Sequence, residues 1–204
     1  VTEDLTKEEN MRKLLCACIF PTMLLGILAF TQPAGQIGTF KFGSEPDGFR
    51  GIKWGTHIAA LDGMVKVWED GDRTFYERER EVLEIGGAKL HRIVYVFWKD
   101  RLLETRIAIL KDYDPDRGEL ANFNIVREIC FERFGEQNRP FFGKEQYSWS
   151  GEKTWIYLGH EDPGFLRLVM GSKEMQAQMK AYAEKKARQE TEYLKRNVRE
   201  ARGF

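Results

Sequence analysis

Reactive and metal-binding side chains are scarce in this chain. Its 204 residues hold three cysteines and three histidines. His57, His91 and His160 lie far apart, and no H-E-x-x-H or C-x-x-C spacing joins them, so zinc-hydrolase and zinc-ribbon chemistry has no sequence footing. No G-x-S-x-G marks a nucleophile elbow, and Cys130 has no histidine near it in sequence. Gly86-Gly87 stands between strand-like segments, so it reads as a hairpin turn and not as a phosphate cradle. His160-Glu161-Asp162 is the nearest approach to a ligand cluster, and it falls where a hairpin loop is expected. Net charge is also missing: 32 basic residues balance 32 acidic ones, which argues against a general nucleic-acid binder. No catalytic residue, metal or cofactor is therefore expected, and the chain reads as non-enzymatic; the alternative reading is a hydrolase whose site assembles only in three dimensions.

What is present begins near the N-terminus. Arg12 and Lys13 precede an apolar run over residues 14–30, interrupted by Pro21, Thr22 and Gly26. A small and polar stretch, 31–35, follows. Basic, apolar and small-polar segments in that order make residues 11–34 a signal peptide or an N-terminal anchor, so a periplasmic or secreted location is expected. The apolar run has 17 residues, at the short limit of the ~17–25 that span a bilayer. Membrane association is expected only if this segment stays uncleaved. The acidic stretch 1–10 precedes it. Val1 is what a literal reading of a GTG start codon would give, and Lys7-Glu8-Glu9 can be encoded by codons that contain a ribosome-binding site just before Met11; residues 1–10 are thus expected to be a start-site artefact. Cys16 and Cys18 leave with the signal, and Cys130 remains as an unpaired thiol on a helical apolar face.

Residues 35–48 are rich in glycine and read as a linker. A domain over 49–171 follows. Thr56 is expected to cap a two-turn helix carrying Ile58 and Leu61 and ended by Gly63. Strands are expected over 74–78, 92–98 and 101–110. In 92–98 both faces are apolar, which predicts a central strand covered on both sides. Lys99-Asp100 is a two-residue turn, after which Leu103, Ile107 and Ile109 are expected to point inward and Glu104 and Arg106 outward. The spacing of Val126, Ile129, Cys130 and Phe134 predicts a helix over 118–134, with Gly135 closing it. Strands at 146–149, 153–158 and 165–170 complete the domain, with Ser150-Gly151-Glu152 turning the first pair. The fold class is α+β: an antiparallel sheet of about six strands from two αβββ units, with the helices on one face. Residues 172–204 predict a charged C-terminal helix. Between Lys173 and Arg202 nine basic and five acidic residues surround a thin apolar stripe of Met175, Met179, Tyr182, Leu194 and Val198.

Aromatic residues are the remaining clue. Trp149 and Trp155 flank a tight hairpin, and Tyr157 shares the face of Trp155. These three are the candidate binding residues, for an envelope protein or peptide.

One stretch carries a family likeness. Gly48-Phe49-Arg50-Gly51-Ile52-Lys53-Trp54-Gly55-Thr56 resembles the opening of small uncharacterised exported proteins of Gram-negative bacteria. There a W-G-T segment precedes a strand of type L-x-x-I-x-Y-x-F, then an F-G helix end and a Y-x-W hairpin. Leu90, Ile93, Tyr95 and Phe97, then Phe134-Gly135, then Tyr147 and Trp149 stand in those places. The match spans roughly residues 48 to 170. The αβββ plan is also similar to the β-lactamase-inhibitor-protein-like and outer-membrane assembly lipoprotein folds. The resemblance implies an exported binding or scaffolding role and assigns no catalytic residue.

Overall fold

Three pairs of adjacent left-handed residues set the local plan. Arg50-Gly51, Gly86-Gly87 and Lys99-Asp100 all have positive φ at both positions. That is the backbone of a two-residue type I′ turn, whose twist matches the strands it joins. They close the hairpins β1 (Gly48–Phe49) with β2 (Ile52–Lys53), β5 (Glu84–Ile85) with β6 (Ala88–Trp98), and β6 with β7 (Arg101–Ile109). The computed structural model describes residues 38–114, 118–137, 145–161 and 165–202. The expected start-site artefact and signal segment, and Asp162, lie outside the described residues.

The main sheet is antiparallel and has eight strands, not six. Its order is β10 (Gln146–Ser150), β11 (Thr154–Glu161), β12 (Phe165–Ser172), β7, β6, β4 (Arg73–Arg78) and β3 (Met64–Asp70), with β5 paired on the side of β6. A small separate ladder joins β8 (Tyr113–Asp114) to β9 (Gly118–Glu119). The two strands of this sheet absent from the sequence reading are the two-residue β5 and β3. Of these, β3 is an edge strand carrying Lys66, Glu69 and Asp70, and a bulge at Val67 breaks its alternation between Lys66 and Trp68. Charges and bulges of this kind guard sheet edges against foreign pairing and blur the period-two signal.

One face of the sheet carries the core. Ile93, Tyr95 and Phe97 of β6, Leu102, Ile107 and Ile109 of β7, Tyr147, Trp149, Ile156 and Leu158 form a single buried cluster. Helix α1 (Ala121–Phe134) closes it with Phe123, Val126, Cys130 and Phe134. Each large side chain so buried contributes roughly 1.5–3 kcal/mol. The helix starts three residues later than its apolar spacing predicts because Leu120 is left-handed, at φ 76°. Asp112 Oδ1 instead accepts the Asn122 N–H at 3.1 Å. The buried Asn122 amide then spans two strand ends, accepting from Lys89 N at 2.8 Å and donating to Leu110 O at 3.0 Å. Gly135 ends the helix at φ 107°, a conformation that glycine alone adopts freely, and donates its N–H to Phe131 O.

Three sequence expectations are corrected. The segment after Thr56 is a single 3-10 turn, Ile58–Ala60, capped by His57, whose Nδ1 accepts the Ala59 N–H at 3.1 Å. His57 and Thr56 are held along the start of β7 by Leu102 N–H to Thr56 O and by a bridge to Arg101, so the chain cannot begin a longer helix. Leu103 does not point into the core. A bulge skips it in the β6–β7 pairing, between Val96↔Glu104 and Phe97↔Leu102, so Leu102 takes the inward place and Leu103 the opposite face. His160 and Glu161 belong to β11 and not to a loop, with His160 paired to Leu166.

The described part of the expected linker is strapped to the fold. Gly38 exchanges hydrogen bonds with Ser148 and Ser150, and Phe40 meets Phe134 edge-on at 5.6 Å. The Glu45 carboxylate accepts the N–H groups of Glu152, Lys153 and Thr154 at 3.2, 2.6 and 2.7 Å, tying the strap to the β10–β11 loop. Burial by itself pushes the Glu45 pKa up, but the three backbone donors outweigh it and hold the group below its ordinary value. A depressed carboxylate stabilises the fold above its unfolded pKa, and the contribution fades as pH falls through the folded value. Glu45→Gln is therefore expected to cost about 1–2 kcal/mol at neutral pH. Its deficit should shrink under acid, as wild type approaches loss of the same charge. Urea unfolding at pH 7 and pH 3 checks both; an equal deficit at the two pH values refutes the charge argument.

Candidate functional site

The three aromatic residues singled out from the sequence part company. Trp149 is wholly buried. It packs on Phe131 and Phe134 and donates Nε1–H to Gly135 O at 2.8 Å. Trp149 pairs with Ile156, whereas Trp155 pairs with Ser150, so the two tryptophans face opposite sides of the sheet. The expected Trp149–Trp155 surface does not form. Trp155 and Tyr157 do share a face, the outer one.

Strand register builds that outer face in rows. One row runs Trp68, Phe75, Val96, Glu104, Gly171, Trp155, and the next runs Val94, Arg106, Val169, Tyr157, Ser148. Gly171 is required for close approach: a Cβ there would come within 3.0 Å of the Trp155 ring and 2.9 Å of Glu104 Cβ. At the β3 end, aromatic and guanidinium planes form the cover. Trp68 stacks on Phe75 with centroids 4.2 Å apart. Arg92 lies over Trp68 at 5.2 Å, and Arg106 and Arg73 lie over Phe75 at 5.4 and 5.9 Å. Arg73 pairs with Asp70, Arg92 with Glu77 and Arg106 with Glu104. These cations are already engaged, so the strip covers its own sheet, and of its two stacked rings Trp68 is the exposed one, at 38%.

The other end of the outer face receives the C-terminal helix, α2 (Lys173–Arg202). Ser172 caps it, accepting the Met175 N–H at 3.1 Å. Met175 is buried with Trp98 and Leu103, and Met179 and Tyr182 pack beside them. Lys99, at the hairpin tip, places Nζ 3.3 Å from the Tyr182 ring centroid and 4.8 Å from that of Trp98. A cleft of about 450 Å³ opens at this root, lined by Trp54, Gly55, Arg101, Ser172, Glu174, Met175 and Gln178. Beyond Ala183 the helix leaves the body, and every residue of 184–198 is exposed. Among them Tyr193, Leu194 and Val198 retain 63, 62 and 49% of their accessible surface.

The groups that could do chemistry are spent or scattered. Cys130 is buried in the core, and burial pushes its thiol up to about 12, far from the thiolate a nucleophile needs. Among the described residues, no group of three or more His, Cys, Asp or Glu is placed to hold a metal ion, and no helix is long and apolar enough to cross a membrane. The Tyr95 hydroxyl donates to Glu81 at 2.7 Å, and burial with that carboxylate raises its pKa. Glu81 is itself held by Arg50, so this inner ion pair secures the Arg50-Gly51 turn.

The Arg/aromatic cover was missed in the sequence because its residues come from four strands. The stripe of α2 was legible, but the point where it leaves the body was not. No family model, curated protein or solved structure was found to match the chain.

Proposed function

We propose that the chain is an exported, non-enzymatic binding or envelope-scaffolding domain, and that its binding element is the free stretch of α2. One observation carries this reading. Met175, Met179 and Tyr182 anchor the helix to the outer face, while residues 184–198 stand clear of the body with Leu194 and Val198 uncovered. Such a helix is rigidly presented at its root and unsatisfied along its length. The basic–apolar–polar order of residues 11–34 supports export. The 17-residue length of that apolar run, at the short limit for a bilayer span, supports a second reading, in which the domain is tethered to the inner membrane. The likeness to exported FRGIKWGT-type proteins and to two-αβββ folds is part of the same proposal. In its support, a 3-10 turn and α1 each precede a strand meander on the core side, and the meanders join antiparallel at β7 and β12.

Removal of residues 184–204 tests the reading. Truncation at 173 would strip Met175 from a buried cluster and confound binding with folding. The shorter cut spares the docked turns, so unfolding should stay within about 0.5 kcal/mol of wild type. Capture of envelope proteins by the tagged domain is expected to be lost. Undiminished capture refutes the assignment of the helix as the binding element.

A further inference from the structure

The free stretch of α2 has its own periodicity. Ala187, Thr191, Leu194, Val198 and Ala201 follow one another at intervals of four, three, four and three. That is a heptad with Thr191 and Val198 at a, and Ala187, Leu194 and Ala201 at d. At 100° per residue this stripe lies roughly 110° around the helix from the docked face of Met175, Met179 and Tyr182. A second helix can therefore lie along it without displacing the first from its sheet. Among the described residues nothing covers the stripe: Ala187, Thr191, Leu194 and Val198 are all exposed. A helix in a protein also draws most of its stability from packing an apolar face, which this stretch lacks in the monomer.

We infer that the occupant is a second copy of this chain, paired in parallel and in register. Three features select this partner and orientation. The pair of β-branched residues at a, Thr191 and Val198, around the single Leu194 at d favours a two-stranded parallel coil. In that arrangement each g residue faces the e residue five positions on in the other copy. Glu190 then meets Lys195, and Asn197 and Ala183 meet Arg202 and Arg188, so no g–e contact opposes like charges; Glu184, at the first a position, is the one charged residue of the seam that faces its own counterpart and frays that end of the coil. The antiparallel alternative sets e against e, bringing Lys195 onto Lys195 and Arg188 onto Arg202. Four glutamates stand among the seven basic residues of 184–202, which makes the polar face a poor match for an anionic membrane. With only Leu194 and Val198 as large apolar contacts, the coil is a weak, concentration-dependent link that brings two sheets together.

The inference rests on the proposed role of the free helix and names its first partner. Its test is cysteine pairing in the full chain carrying Cys16→Ala and Cys18→Ala, with buried Cys130 retained. Leu194→Cys at d should form a disulfide dimer at least tenfold more than Arg196→Cys at f, on the outside of the coil. Both positions are exposed, so neither variant threatens the fold. Charge exchange gives the orientation. By sedimentation, Glu190→Lys alone and Lys195→Glu alone should each weaken self-association about three- to tenfold, and the double exchange should restore it to within about twofold. A chain that stays monomeric, cross-links equally at 194 and 196, or fails to recover in the double exchange overturns the inference. Envelope capture that needs residues 184–204 in a monomeric chain would overturn self-pairing alone and leave the binding role standing.

Discussion

Trp149→Ala is expected to remove about 3–5 kcal/mol of stability, enough to unfold much of a marginally stable domain. The indole is wholly enclosed, meets Phe131 and Phe134 edge-on, and places its N–H on Gly135 O at the helix end. Truncation would empty a large volume between α1 and the sheet and leave that carbonyl without its donor. Trp149→Phe should recover part of the loss by refilling the space while still lacking the N–H. Trp155→Ala, on the outer face, removes a ring that is 9% exposed and stands outside the main core cluster, so its cost should be the smaller. Urea midpoints of the three variants settle the order. A Trp149→Ala protein as stable as wild type would return Trp149 to the list of recognition residues.

The misplacement of Trp149 has a definite physical origin. A three-residue turn at Ser150-Gly151-Glu152 would set Trp149 opposite Lys153, on the face of Trp155. The loop has four residues, since Ser150 pairs with Trp155 and Gly151 donates to Thr154 O. One residue of register moves every side chain of β10 to the other face. The same arithmetic explains Leu103, where the bulge between Val96 and Phe97 advances the phase of β7. Elements were legible where a strong period ran unbroken. The alternation of 92–98, the stripe of α1 and the C-terminal helix all appear, and Lys99-Asp100 turns in two residues as expected. Long-range packing was not legible. The helix leaves the body after Ala183 because Trp98, Leu103 and the Lys99 tip end there, and no local pattern in 173–202 records where those partners stop.

Arg50→Ala is expected to cost about 2–3 kcal/mol, the largest effect among the exposed or half-buried residues of the family-like motif. Its guanidinium reaches across more than thirty residues of sequence to pair with Glu81 and to donate to Val82 O and Glu84 O at 2.6 and 2.7 Å. Loss of the side chain strands a carboxylate whose other partner is the Tyr95 hydroxyl, in the centre of the core. Arg50→Lys should recover only a fraction, because one ammonium cannot serve three acceptors set in a fork. Arg50→Gly separates the side chain from the backbone. Residue 50 is left-handed at φ 48°, where glycine is favoured over alanine by about 1 kcal/mol, so Arg50→Gly should be milder than Arg50→Ala by that amount. The other polar contacts of the motif are of the same kind. Trp54 Nε1 donates to Thr154 Oγ1 at 2.7 Å, Gly55 N–H to Leu102 O at 2.8 Å, and Ile58 N–H to Asp100 O at 2.8 Å. Each ties the segment 48–58 to a different part of the sheet, so the motif is explained by the fold it closes without any ligand. If Arg50→Ala instead left stability untouched while abolishing capture of an envelope partner, the motif would be a recognition element and α2 would lose its claim to that role.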